Sequence, residues 1–100
     1  MYDIKNLDKL KALEANAPEA MKAFGAFDKA AMTAGSISSK YKELIALAVA
    51  LTTQCPYCLD IHAKKAREAG ATEPEIAEVV AIAAALRAGA AMTHGTHAMA

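Results

Sequence analysis

The feature that most constrains this chain is its punctuation. From Leu7 to Met92 apolar residues recur about every three or four positions, and short stop-and-restart clusters break the pattern. Those clusters are "NAP" at Asn16–Pro18, "AGSISS" at Ala34–Ser39, "QCPYC" at Gln54–Cys58 and the stretch from Gly70 to Glu75. Leu7, Leu10 and Leu13 predict a short first helix, and Met21, Phe24, Phe27 and Ala31 form the stripe of a second. Ser38 or Ser39 suits the cap of a third helix, roughly Lys40 to Thr53. After Glu43 that helix is apolar on nearly every side, as a central buried helix is. Pro56 fits the first position of a fourth helix running to about Ala69, where Gly70 ends it. Thr72 and Glu75 read as a capping box for a fifth, which continues through "IAEVVAIAAALRAGAAM". The expected fold is an all-α, single-domain helical bundle over residues 1–100, without repeat, linker or low-complexity tail.

A chain this short buries only about two thirds of the surface that its unfolded form exposes. With 55% of residues hydrophobic, it carries more apolar helix face than it can hide alone, so assembly into a helical oligomer is expected. Its 11 basic and 11 acidic residues cancel and form no block, which gives no electrostatic reason to expect nucleic acid or an anionic membrane as partner. The longest apolar runs are short or carry Glu78 and Arg87, so no bilayer-spanning segment is expected. "MYDIKNLDKLKAL" lacks a signal-peptide core, and the expected compartment is the cytoplasm. There a cysteine pair is more often catalytic or metal-binding than a structural staple.

The chemistry gathers in "ELIALAVALTTQCPYCLDIH", Glu43 to His62. If the fourth helix begins at or just after Cys55, then Cys55, Cys58 and His62 share a stripe about 60° wide. Both thiols fall in the first turn, where free N–H groups and the helix dipole favour thiolate. A thiolate, a second thiol within reach and a nearby proton acceptor are the parts that thiol redox chemistry needs. Glu43 lies on the preceding helix, and an antiparallel or steeply crossed pair of helices would bring its carboxylate to His62. Its plainer role is to complement the dipole or pair with Lys40 or Lys42. The helix dipole favours Cys55 as the more stabilised thiolate, whereas His62 at i+4 favours Cys58.

Glu43, Cys55, Cys58 and His62 resemble the E-x11-C-x-x-C-x3-H pattern of the AhpD-like alkylhydroperoxidases in the carboxymuconolactone decarboxylase superfamily. The likeness extends over "KELIALAVALTTQCPYCLDIHAKKAREAGATEPEIAEVVAIAAAL", about half the chain, within a core motif at 38–92. The resemblance implies a homotrimer or homohexamer. It also implies a peroxidase whose cysteine pair reduces a hydroperoxide and is reopened by an external dithiol, such as a lipoyl or thioredoxin-like protein. Carried over, Glu43 and His62 form the proton relay, Cys58 is the activated thiol and Cys55 its partner. No cofactor or metal is needed. Decarboxylases of the superfamily, acting on a small lactone or acid, share the fold but typically lack the cysteine pair. Many alkylhydroperoxidases carry histidine immediately before the second cysteine, where this chain has Tyr57. A phenol of unperturbed pKa about 10 cannot shuttle protons near neutrality as imidazole does.

Three rival readings compete. Two thiolates, an imidazole and a carboxylate make up a tetrahedral zinc set, although structural zinc usually joins elements that need the metal to fold. Cysteines are also ordinary small core residues. A non-enzymatic oligomeric protein would use the apolar helices and nothing else. Elsewhere, His94 and His97 form an i, i+3 pair for which a frayed or solvated end is the plainer reading. Met21, Met32, Met92 and Met99 read as packing filler, and Tyr41 and Tyr57 as possible walls of a pocket over the thiols.

Overall fold

The computed structural model describes residues 2–100. A 3-10 turn at Ile4–Lys9 leads into α1 (Leu10–Asn16), which α2 (Pro18–Met32) follows. The rest is α3 (Ser39–Thr53), α4 (Pro56–Glu68), α5 (Glu73–Gly95) and a closing 3-10 turn at Thr96–Ala98. The all-helical expectation holds, with each boundary within a few residues of its sequence signal.

The caps show why the elements start and stop there. The Ser38 hydroxyl accepts the Tyr41 N–H at 3.4 Å, so Ser38 rather than Ser39 caps α3. Gly70 takes φ 98°, a left-handed geometry that costs glycine little. That turn lets the Ala71 N–H reach back to the Ala66 carbonyl at 2.9 Å and seal α4. At the start of α5, Thr72 Oγ1 accepts the Glu75 N–H (3.3 Å) while Glu75 Oε1 accepts the Thr72 N–H (2.9 Å). The other Glu75 oxygen holds Lys40 Nζ at 2.9 Å, pinning the start of α5 to the start of α3.

α3 lies between α4 and α5 and supplies most of the core. Leu44, Leu47 and Ala50 are buried along one of its stripes, and Ala66 of α4 and Ala83 of α5 complete the buried set. Alanine at the partner positions lets the helix axes approach closely. The α1–α2 hairpin touches α3 only lightly and projects from this three-helix unit.

One expectation fails here. α3 is not buried all round: Ile45 and Val49 are about half exposed. The α2 stripe lies open, with Phe24 and Phe27 60% and 71% exposed, in line with a chain that carries more apolar face than it can hide alone. The chain is simply not compact. Its radius of gyration is 16.6 Å, against about 13 Å for a globular chain of this length. Ile82, Leu86 and Met92 leave α5 equally open, with Ala83 its one buried residue among those described. By length and composition the stretch Glu73–Ala98 is long and apolar enough to cross a membrane, despite Glu78 and Arg87. Arg87 donates to the Thr52 carbonyl, tying this helix to the C-terminal end of α3.

Candidate functional site

The junction between α3 and α4 builds the site. α3 ends on Gln54, whose φ 57°, ψ 47° is left-handed. Both the Gln54 and the Cys55 N–H groups then return to the Ala50 carbonyl, the latter at 3.1 Å. This tight reversal leaves Cys55 extended (φ −97°, ψ 101°) as the N-cap of α4, with Pro56 in the first turn. Cys55 therefore occupies the place that serine or aspartate usually fills, and its sulfur accepts the Cys58 N–H at 3.3 Å.

The two cysteines are not bridged, and their partly buried sulfurs lie 2.7 Å apart. The surroundings of the two sulfurs differ in what they do to each thiol. Cys55 receives the Cys58 thiol and then the backbone N–H groups of Cys58 and Tyr57, which together hold it below the ordinary thiol range. Cys58 is pushed up to about 11 by its hydrogen bond to Cys55, by burial and by the neighbouring negative charge. Cys55 is thus the more acidic thiol of the pair, as the helix dipole implied.

The α3–α4 crossing brings the next pair together. His62 Nδ1 lies 2.6 Å from Glu43 Oε2, with the two side chains 20% and 13% exposed. With a carboxylate as its partner, Nδ1 is the ring nitrogen that donates in this contact, which turns Nε2 away from Glu43. The plainer partners for Glu43 are otherwise engaged. Lys40 is held by Glu75, and Lys42 Nζ donates to the carbonyls of Ala31 (2.8 Å) and Thr33 (2.6 Å) at the end of α2.

Cys58 and His62 open onto one cleft of about 470 Å³ between α2, α3 and α4. Met32, Ile37, Ile45 and Val49 make its walls chiefly apolar, and Asp28 and Lys42 add charge. The exposed faces of Ile45 and Val49 therefore belong to this cleft. Sequence reasoning missed Asp28, Lys42 and the α2 wall, because no local pattern says which helix will lie across α3. Tyr57 does not line the cleft. Its hydroxyl accepts from Asn6 Nδ2 at 3.0 Å and its ring meets Tyr2 edge-on, so it anchors the N-terminal segment instead. Tyr41 lines a second hollow between α3 and α5.

The site is a poor zinc cage as it stands. Two thiolates on one tetrahedral zinc sit about 3.8 Å apart, well beyond the 2.7 Å seen here. Among the described residues, no group of three or more His, Cys, Asp and Glu side chains is placed to hold a metal ion.

The family model for the carboxymuconolactone decarboxylase family matches residues 18–100. The chain belongs to that family, within the AhpD-like superfamily. Among solved structures, a protein from Methanobacterium thermoautotrophicum superposes with TM-score 0.81 at 36% identity, covering 86% of this chain and 97% of that one. A carboxymuconolactone decarboxylase family protein from Legionella pneumophila, in its apo form, gives 0.77 at 30% identity over 90% and 80%. An uncharacterized protein of the cox locus in Paracoccus denitrificans is 46% identical over 78 residues, 78% of this chain and 70% of its own length. An uncharacterized protein of Cupriavidus necator is 43% identical over 65% of this chain and spans further, the match covering 58% of it. The family member described here keeps the C-x-x-C cysteine pair, with Glu43 and His62 in contact beside it.

Proposed function

We propose that this chain is a thiol peroxidase that reduces organic hydroperoxides through Cys58 and Cys55. The observation that carries the reading is the 2.6 Å contact between Glu43 and His62, with His62 and Cys58 facing the same cleft. A Cys58 thiol near 11 does not ionise unaided at neutral pH, so it needs a base, and the Nε2 of a Glu43-oriented imidazole supplies one.

In the proposed cycle His62 takes the Cys58 proton and the thiolate attacks the terminal peroxide oxygen. An S–O bond forms, the O–O bond breaks, and the leaving alkoxide recovers the proton from His62 as alcohol. Cys55, the more acidic thiol, then attacks the Cys58 sulfenic acid as thiolate, and the departing hydroxide takes up the proton that Cys55 gave up and leaves as water while the disulfide closes. With the sulfurs 2.7 Å apart, closure to about 2.05 Å needs little movement. An external dithiol, of lipoyl or thioredoxin type, supplies two electrons and two protons to restore the pair. We place this chemistry in the cytoplasm.

We further propose that the working form is a homotrimer or homohexamer. Phe24, Phe27, Ile82 and Leu86 lie open in the single chain, and a second copy covers such faces most economically.

The test is peroxide consumption by purified protein with a panel of dithiol donors, with mass spectrometry of the oxidised chain. The expected result is catalytic turnover, a Cys55–Cys58 disulfide, and turnover abolished in Cys58→Ser. Full consumption by a Cys55→Ser/Cys58→Ser variant would rule the mechanism out.

A further inference from the structure

The stretch "THGTHAMA", Thr93 to Ala100, takes no part in the thiol site. His94 lies in the last turn of α5 and His97 in the 3-10 turn that follows, so the end is helical rather than frayed, and solvated as the plainer reading had it. Both rings are solvent-exposed, with centres 5.2 Å apart and planes at 67°. A tetrahedral metal bound by one nitrogen of each ring, at about 2.1 Å, holds the ring centres about 5.2 Å apart. The observed spacing matches that value. The carbonyl end of α5 adds partial negative charge beside the pair.

A third donor stands two residues on. The Met99 N–H donates to the Thr96 carbonyl at 3.1 Å, closing the turn that carries His97, and Met99 leaves it in an extended conformation. Met99 was expected to be packing filler, yet it is 77% exposed. Met92 is exposed as well, but it lies about 200° around the helix from His94 and faces elsewhere. No third His, Cys, Asp or Glu joins the pair among the described residues. The set is therefore two imidazoles and a thioether. Imidazole suits zinc, nickel and copper alike, whereas thioether selects Cu(I).

We infer that His94, His97 and Met99 form a copper site that prefers Cu(I). The two imidazoles supply the chelate, and the thioether rotates in to favour copper over harder ions. The site lies apart from the thiol pair and needs none of its residues.

The test uses untagged full-length protein carrying Cys55→Ser and Cys58→Ser, which removes the dithiol that would compete for Cu(I). Anaerobic titration against a chromophoric Cu(I) chelator should give one ion per chain. His94→Ala and His97→Ala should each weaken binding at least tenfold. Met99→Ala should weaken Cu(I) while leaving Ni(II) binding unchanged, a control that also reports an intact histidine pair. Cu(II) added to the same protein should show an electron paramagnetic resonance spectrum split by two nitrogens. Unchanged Cu(I) affinity after replacing both histidines would overturn the site and leave the rings merely stacked. Loss of Met99 without effect on Cu(I) would overturn the preference for copper.

Discussion

Replacing Cys55 with alanine should make Cys58 react faster with alkylating agents while stopping peroxide turnover. Cys58 is held at about 11, and its first cause is the hydrogen bond to Cys55. At pH 7 a thiol at 11 is thiolate in about one molecule in ten thousand, and a thiol at its ordinary 9.0 in about one in a hundred. Full release would therefore raise the thiolate fraction about a hundredfold. A thiolate two pKa units less basic is also intrinsically slower by roughly tenfold. The net gain is up to about tenfold, smaller where burial keeps Cys58 above 9.0. The assay is iodoacetamide labelling of Cys55→Ala across pH 6–11, read by peptide mass spectrometry against the unsubstituted chain. The inflection for Cys58 should move down from about 11 toward 9.0, and in the unsubstituted chain Cys55 should be labelled first. First labelling of Cys58 in the unsubstituted chain, or an unchanged Cys58 rate in Cys55→Ala, would refute the assignment of Cys55 as the more acidic thiol.

Other predictions concern the frame that holds the site. Gln54→Gly should stabilise the fold by roughly 0.5–1 kcal/mol, because glycine takes the left-handed φ of 57° without the Cβ cost. Urea unfolding at fixed protein concentration reads this, and a loss of stability would show that the Gln54 side chain outweighs backbone strain. Leu47→Ala, at a position 3% exposed in a small core, should cost roughly 2–4 kcal/mol in the same measurement. The Glu75 carboxyl is held below its ordinary 4.5 by the Thr72 amide and then by Lys40. A depressed carboxyl contributes stability that is present above 4.5 and is lost as pH falls through the folded value. Melting temperature should accordingly drop on acidification below about pH 4.5, and Glu75→Gln should flatten that limb. An equally steep acid limb in Glu75→Gln would place the acid sensitivity elsewhere.

Much of the site was legible because its local parts obey short-range rules. Pro56 in the first turn of α4 already implied that Cys55 stands at the N-cap. An N-cap sulfur receiving the amide three residues on is the more acidic thiol, so the direction of the Cys55 shift was readable from "CPYC" by the capping rule. The i+4 argument for Cys58 concerned access to a base and not resting charge, and these are separate questions. Tyr57 gave no such signal. Its partners Tyr2 and Asn6 lie more than fifty residues away along the chain, and nothing near "PYC" indicates them.

By itself, the amino-acid order determined where helices begin and end. Ser38, Pro56, Gly70, Thr72 and Glu75 act through hydrogen bonds and sterics that span only three or four residues. It also determined that two sulfurs and an imidazole would follow one another along a single helix. Only the tertiary structure decided that Glu43, nineteen positions from His62, would meet it, that α2 would wall the cleft, and that α2 and α5 would keep open apolar faces. Those outcomes depend on the angle at which α3 crosses its neighbours and on how little of each helix one hundred residues can cover. No short-range rule specifies either quantity.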